Sequence, residues 1–391
     1  MRIGDIERIK VYSVLIVLSL FSVMILESQS AASFATYFLG LAVLASLSKW
    51  EDFLRLDLFW LIVVLALYLT ASGFWSDAWS IESVFSVFVR ALLVITFVIA
   101  LADCHLRAEM QRWLGRSLAL GGIIAAALSI YLFIVSPNSA GRLVGFGQLD
   151  NSVVAGLVFG VVLIFCIDRL VQEKKLWVRT FVFLSMGLLV FAIALTGSRN
   201  AAISVGCGVV VMSAAQVIKV RQTFMAVIAT IFVVLIVVGL VVASTDAGAQ
   251  FLFPRNDSFR IEIWLQTLDA VSESLVFGKG ILTPDSVVVG TREIEHPHNM
   301  YLAVLFQGGL LGLGLFLVLL ARVFYVLYQS YSVPTSKLAM GILSIAVPCY
   351  LLDGHELIDK VGETWFLFWY PVGMALGISL SSLVKPDRRY S

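Results

Sequence analysis

Apolar residues run along this chain in blocks close to twenty long, separated by short polar punctuation. A bilayer core about 30 Å thick takes roughly 20 residues of helix at about 1.5 Å per residue. The pattern predicts twelve such helices, at 11–26, 31–48, 57–74, 84–103, 113–136, 153–171, 179–197, 201–218, 223–245, 299–321, 337–352 and 364–384. Between the ninth and tenth lies one long excursion, residues 246–298. Within it, after Pro254, the residues Ile261, Trp264, Leu265, Leu268 and Val271 recur at helical spacing, with Asp257 or Ser258 as cap and Gly278 and Gly280 as terminators. This predicts a short amphipathic helix whose apolar stripe lies on the membrane surface or roofs a cavity. The expected architecture is an all-α integral membrane protein, residues 1–391 forming a single polytopic domain with the 246–298 loop on one side.

Composition agrees with that class. Of 391 residues 60% are hydrophobic and 14% charged, and the mean hydropathy of +0.97 far exceeds what a soluble core requires. With an inside N-terminus, nineteen of the 27 Lys and Arg fall on the inner side, seven on the outer, and Arg90 lies within a helix. The inward bias of positive charge therefore places both termini in the cytoplasm. A cleaved signal peptide is disfavoured, because Asp5 and Glu7 dilute the basic n-region and the first helix keeps the charge alternation in phase. A net charge of +1 without basic runs excludes the electrostatic footprint of a nucleic-acid binder. The four cysteines fall in helices or at a cytoplasmic end, so no disulfide framework or thiolate metal site is expected.

Polar groups kept at or within a bilayer are costly, which makes them functional candidates. They gather on the outer face: Arg142 in "GRLVGFGQLDNS", Arg199 in "LTGSRNAA", Arg255 and Arg260 in "FPRNDSFRIEIW", and His296, His298 and Asn299 in "EHPHNMY". Arg90 sits about 10 Å deep from the outer end of its helix. Arg199 at a helix start can offer forked donors to an anionic oxygen, or can simply snorkel to lipid phosphate. Arg260 and Trp264, four apart, are neighbours on the loop helix. His298 can take a proton near neutral pH beside Asn299, which can orient a hydroxyl or phosphate; the plainer role of His298 is a helix cap. Glu293, Glu295, His296 and His298 also admit a metal reading, weakened by spacing unlike that of helical zinc pairs. Gly308, Gly309, Gly312 and Gly314 let another helix or a lipid chain approach.

Taken together, "HNMYLAVLFQGGLLG", "LTGSRNA", "GKGI" and the Arg-x-x-x-Trp helix resemble the bacterial O-antigen ligase and O-antigen polymerase superfamily, most strongly over residues 190–320. The resemblance implies a glycosyltransferase of the inner membrane with a GT-C-like fold, working on the periplasmic side without metal or other cofactor. It would move a glycan from undecaprenyl diphosphate to an acceptor hydroxyl with inversion. It also implies His298 as base, with either histidine of the pair a candidate, and Arg199 and Arg260 on the diphosphate; Asn299, Arg90, Arg142 and Arg255 are further binding candidates. The expected partners are the lipid-linked donor, a lipid A-core or glycan acceptor and membrane lipids. The tail "LDGHELIDKVGETWFLFWYPVG" is similar to ligases more than to polymerases, the latter being the alternative, and an interfacial aromatic belt is its plainer explanation. A lipid-linked sugar transporter fits less well, because transporters place charges near the midplane and these cluster at one face.

Overall fold

The computed structural model describes residues 3–46, 50–136, 141–220, 222–224, 259–289 and 292–384. Nearly all of the ninth predicted helix, together with Pro254, Arg255, Asp257 and Ser258, lies outside them. Among the described residues, ten helices are long and apolar enough to cross a membrane. The chain runs through α1 (Ile3–Ile25), α2 (Gln29–Ser46), the short α3 (Trp50–Leu54), α4 (Asp57–Ser72), α5 (Ile81–His105), α6 (Ala108–Val135), α7 (Ser152–Gln172), α8 (Leu176–Leu195) and α9 (Arg199–Val217). After the undescribed stretch come α10 (Arg260–Ser272), a hairpin of β1 (Val287–Val289) and β2 (Arg292–Ile294), α11 (Met300–Gln329), α12 (Pro334–Cys349) and α13 (Tyr370–Val384). The 16-residue α12 corresponds to the eleventh predicted span and starts three residues early, because Pro334 is well suited to the first helical turn.

At one end of the bundle, ion pairs fix the helices to each other. Arg8 of α1 donates from Nε and a terminal nitrogen to Asp103 Oδ2 of α5, at 3.2 and 3.0 Å. Both side chains are buried, so either alone would leave an uncompensated charge. Arg322 of α11 grips Asp57 at the start of α4 with two bonds of 2.7 and 3.0 Å.

Towards the other end, α11 is not one continuous helix. At Gly309 the backbone turns to φ 62°, ψ −163°, a conformation essentially restricted to glycine. A break inside a bilayer leaves carbonyls and amides without partners, and each needs one. The segment 275–280 enters the break and supplies them. Lys279 and Gly280 N–H donate to the carbonyls of Phe306 and Gln307 at 2.7 and 2.9 Å, while Leu310 and Leu311 N–H donate to Leu275 and Val276 at 2.9 and 3.2 Å. The Tyr68 hydroxyl of α4 donates to Gly308 O at 2.7 Å. Gly278 (φ 74°) admits the close passage, since a Cβ there would lie 2.4 Å from Gly309 N. Beyond the break, Ile281 and Leu282 N–H donate to the hydroxyls of Ser72, the last residue of α4, and Ser76 in the turn after it.

The amphipathic helix predicted after Pro254 is α10, and it packs mainly on a face that the pattern did not single out. Ile263, Thr267 and Val271 are buried, whereas Ile261, Leu265 and Leu268 are exposed. Ile263 packs with Val287 and Val289 of the hairpin, and Val271 with Leu305 and Phe306 of α11. Two apolar faces result, one packed against the protein and one exposed.

Candidate functional site

His298 occupies the turn into α11 with φ 49°, the left-handed region that few non-glycine residues adopt. The chain is held there from both sides. Trp264 of α10 donates its indole N–H to Pro297 O at 3.0 Å, and Asn299 caps α11 by accepting from Leu302 N–H at 3.1 Å. The Asn299 amide also donates to Leu351 O at 3.1 Å, Met300 N–H to Tyr350 O at 2.9 Å and Gln307 to His355 O at 3.1 Å. These three bonds lash the start of α11 to the segment after α12. His298 Nδ1 thereby comes 3.2 Å from Asp353 Oδ1. Among the described residues Nε2 has no partner, and the His298 side chain is 39% exposed.

The surroundings separate the two histidines of "HPH". His296 stacks on His355 at 4.2 Å and meets His298 edge-on at 4.1 Å. Burial, reinforced by those two rings, pushes its pKa down to about 4. Its Nδ1 accepts the His298 backbone N–H at 3.4 Å, which makes that nitrogen the unprotonated one. Burial likewise lowers His355. Burial pushes Asp353 up, but the His298 imidazole and the Gly354 N–H outweigh it and hold the carboxyl below its ordinary range. The result is an ionised carboxylate behind His298 and a neutral ring beside it.

A cavity of about 110 Å³ opens here, with His296, His298, Asp353, His355, Asn151 and Glu363 in its wall. Burial and the neighbouring Asp359, Asp353 and Asp150 push Glu363 up to about 7. Cys349 also lines the cavity and receives the Asn200 amide at 3.9 Å, so Arg199, the first residue of α9, is one residue from a wall contact. Arg142 Nε donates to Thr196 O at 2.8 Å, in the turn just before Arg199. Arg260 opens α10, the helix that Trp264 ties to Pro297. Arg255 lies outside the described residues.

Arg90 is engaged by the same loop that carries Asp353. It lies 3.3 Å from Asp359 and 3.5 Å from Glu356; burial and the Asp359 charge push Glu356 up to about 8. The tail aromatics hold that loop in place. Trp365 and Trp369 donate their indole N–H to the carbonyls of Asp359 and Leu357 at 3.2 and 3.0 Å, and both are buried. They are core anchors, not an interfacial belt. Glu293 and Glu295, considered as metal ligands, are exposed. No group of three or more His, Cys, Asp and Glu arranged to hold a metal occurs among the described residues.

Asp353 is the site residue that sequence reasoning did not connect to His298. It is visible in "LDGHE" as an outer polar residue, but 55 positions separate the pair.

Residues 184–317 match the O-antigen ligase family, a segment that begins in α8 and takes in Arg199, Arg260, His298 and the Gly309 break. The chain is similar to an O-antigen ligase of Pseudomonas aeruginosa, 27% identical over 76% of this chain and 71% of the relative. It is also similar to a provisionally named polysaccharide ligase of Rickettsia felis, 21% identical over 68% of this chain and 75% of the relative.

Proposed function

We propose that this protein, whose residues 184–317 match the O-antigen ligase family, transfers a completed glycan from undecaprenyl diphosphate to a hydroxyl of the lipid A-core at the periplasmic face of the bacterial inner membrane. The observation that carries the chemical reading is the His298–Asp353 pair: an imidazole with one nitrogen bonded to a half-buried carboxylate and the other available at a cavity wall. In this mechanism His298 Nε2 takes the proton of the acceptor hydroxyl as its oxygen attacks the anomeric carbon. The bond from that carbon to the diphosphate breaks with its electron pair, and undecaprenyl diphosphate departs. Asp353 fixes the imidazole tautomer and stabilises the imidazolium, as a carboxylate does behind a catalytic histidine elsewhere. Arg199 and Arg260 receive the diphosphate; two forked guanidinium groups neutralise such a leaving group without a divalent ion. Single displacement inverts the anomeric centre. His296, held neutral and in use as an acceptor, is the poorer base, which supports His298 in that role. Asn299, engaged at both ends by backbone, serves to position the histidine turn, and Arg142 and Arg90 shape the Arg199 turn and the Asp353 loop.

A deletion strain complemented with variants tests this. Without the gene, full-length glycan accumulates on undecaprenyl diphosphate and the core stays bare; His298→Ala restores nothing although it inserts and accumulates. Cores carrying single repeat units would instead make the protein a repeat-unit polymerase. Normal ligation by His298→Ala would remove the base. Ligation by the purified protein persists in excess chelator, and its loss with rescue by a divalent ion would replace this mechanism with a metal-assisted one.

A further inference from the structure

At the end of the bundle opposite His298, helices α6, α7 and α12 leave between them a cavity of about 280 Å³. Its wall is graded. Arg112 of α6 and Arg169 of α7 stand near the helix ends, Arg116, Phe165 and Leu338 lie one to two turns in, and Ala119 is the deepest on α6. Arg112 and Arg116 are one turn apart on the same face, so their charges repel. Arg169 is ion-paired to Glu173, but neither Arg112 nor Arg116 has a hydrogen bond or ion pair among the described residues. Asp168, which also lines the cavity, is bonded to Gln172 at 2.6 Å instead. Two exposed guanidinium groups without a bonded partner, beside the apolar side chains of Phe165, Leu338 and Ala119 and close to the positive end of α12, form a receptor for an amphiphile, with the anion at the arginines and hydrocarbon along the apolar wall.

We propose that this cavity binds an anionic phospholipid of the leaflet at that end, which the Lys/Arg bias assigns to the cytoplasm, with the headgroup phosphate between Arg112 and Arg116 and an acyl chain along Phe165 and Leu338. The bound lipid ties α6 to the start of α12, adding to the side-chain bond from Gln111 to Thr335. Helix α12 ends at Cys349, in the wall of the His298 cavity, so the lipid braces the helix that leads into the Asp353 segment. Such binding does not depend on which reaction the protein performs.

Full-length protein in phosphatidylcholine nanodiscs, titrated with phosphatidylglycerol, tests it through the thermal unfolding midpoint and the lipid retained in native mass spectrometry. Phosphatidylglycerol raises the wild-type midpoint and stays bound one to one. Arg112→Gln with Arg116→Gln weakens the apparent affinity about tenfold or more, whereas Arg179→Gln, an exposed arginine at the same end but outside the cavity, behaves as wild type. On the wild type alone, the stabilisation falls as salt rises from about 0.1 to about 1 M. Undiminished binding by the double variant, or salt-independent stabilisation, overturns the proposal. So does inorganic phosphate that reproduces the stabilisation and displaces the lipid, which would make this a site for a soluble anion.

Discussion

Replacing Gly309 by alanine puts the fold and the site to one test. The conformation φ 62°, ψ −163° is strained for any residue with a Cβ, by about 1–3 kcal/mol. Space is lacking as well: the new methyl would lie 2.3 Å from Val276 O and 2.5 Å from Gly278 N, both backbone atoms that cannot rotate aside. Relief requires segment 275–280 to withdraw, breaking the four backbone bonds made by Lys279, Gly280, Leu310 and Leu311. At a net value of about 0.5–1.5 kcal/mol each, these add about 2–6 kcal/mol, for a total of about 3–9 kcal/mol. That is comparable with the whole stability of many domains. The segment is continuous with α10, whose Trp264 holds Pro297, so its release loosens the His298 turn. Even the lower bound raises the open population by roughly a hundredfold. Limited proteolysis from the outer face should therefore cut Gly309→Ala within 273–283 at least that much faster than wild type, and glycan transfer should be lost. Gly314→Ala is the control, since nothing lies within 4 Å of its Cβ and the helix interior favours alanine by up to about 1 kcal/mol. Wild-type protection and activity in Gly309→Ala would refute the interlock.

Asp353→Asn leaves the shape of the pair but removes the charge behind His298; turnover should fall by about 10²–10⁴ with little change in acceptor KM, and an unchanged rate would detach the carboxylate from the chemistry. Trp264→Phe strands the Pro297 carbonyl at a cost of about 1–3 kcal/mol, so it should lower activity about tenfold or more while the protein still accumulates, and wild-type rates would show that α10 does not position the turn. The folded His296 pKa of about 4 lies below the ordinary 6.5, so the unfolded chain binds the proton first as pH falls. That contribution to stability is full above about 6.5 and is lost as pH drops towards about 4; His296→Leu should unfold with a shallower pH dependence between those values, and an unchanged slope would contradict the assignment.

The spans were legible because about twenty apolar residues in a row admit little else, and several of their ends fall within a few residues of the observed helices. What remained hidden has one physical cause: partners distant in sequence. The run 300–329 is apolar throughout, so its glycines read as a packing surface; the break at Gly309 exists only because segment 275–280, some thirty residues earlier, arrives to satisfy the opened backbone. The packed face of α10 was not visible for the same reason, since the hairpin takes up Ile263, which lies outside the predicted stripe, and α11 takes up Val271. Strands of three residues carry too short a period to be seen at all.

The site follows this division. His298 was legible as a residue because a histidine at a membrane helix start is conspicuous, but its chemistry depends on a carboxylate 55 positions away. That carboxylate is delivered by backbone: Tyr350 and Leu351 carbonyls bonded to the start of α11, His355 O to Gln307, and Leu357 and Asp359 carbonyls to two buried tryptophans. Carbonyls are common to every residue, so a bond to one leaves almost no trace in the side chain it belongs to. The donors do leave one. Asn299, Gln307, Trp365 and Trp369 are polar or amphipathic side chains placed in apolar surroundings, where each needs a hydrogen-bond partner. Each of the four reaches the 351–359 segment. In a membrane protein of this kind, buried amides and indoles are thus as informative as charges: the charges mark where chemistry can occur, and the buried donors mark the loop that is held still for it.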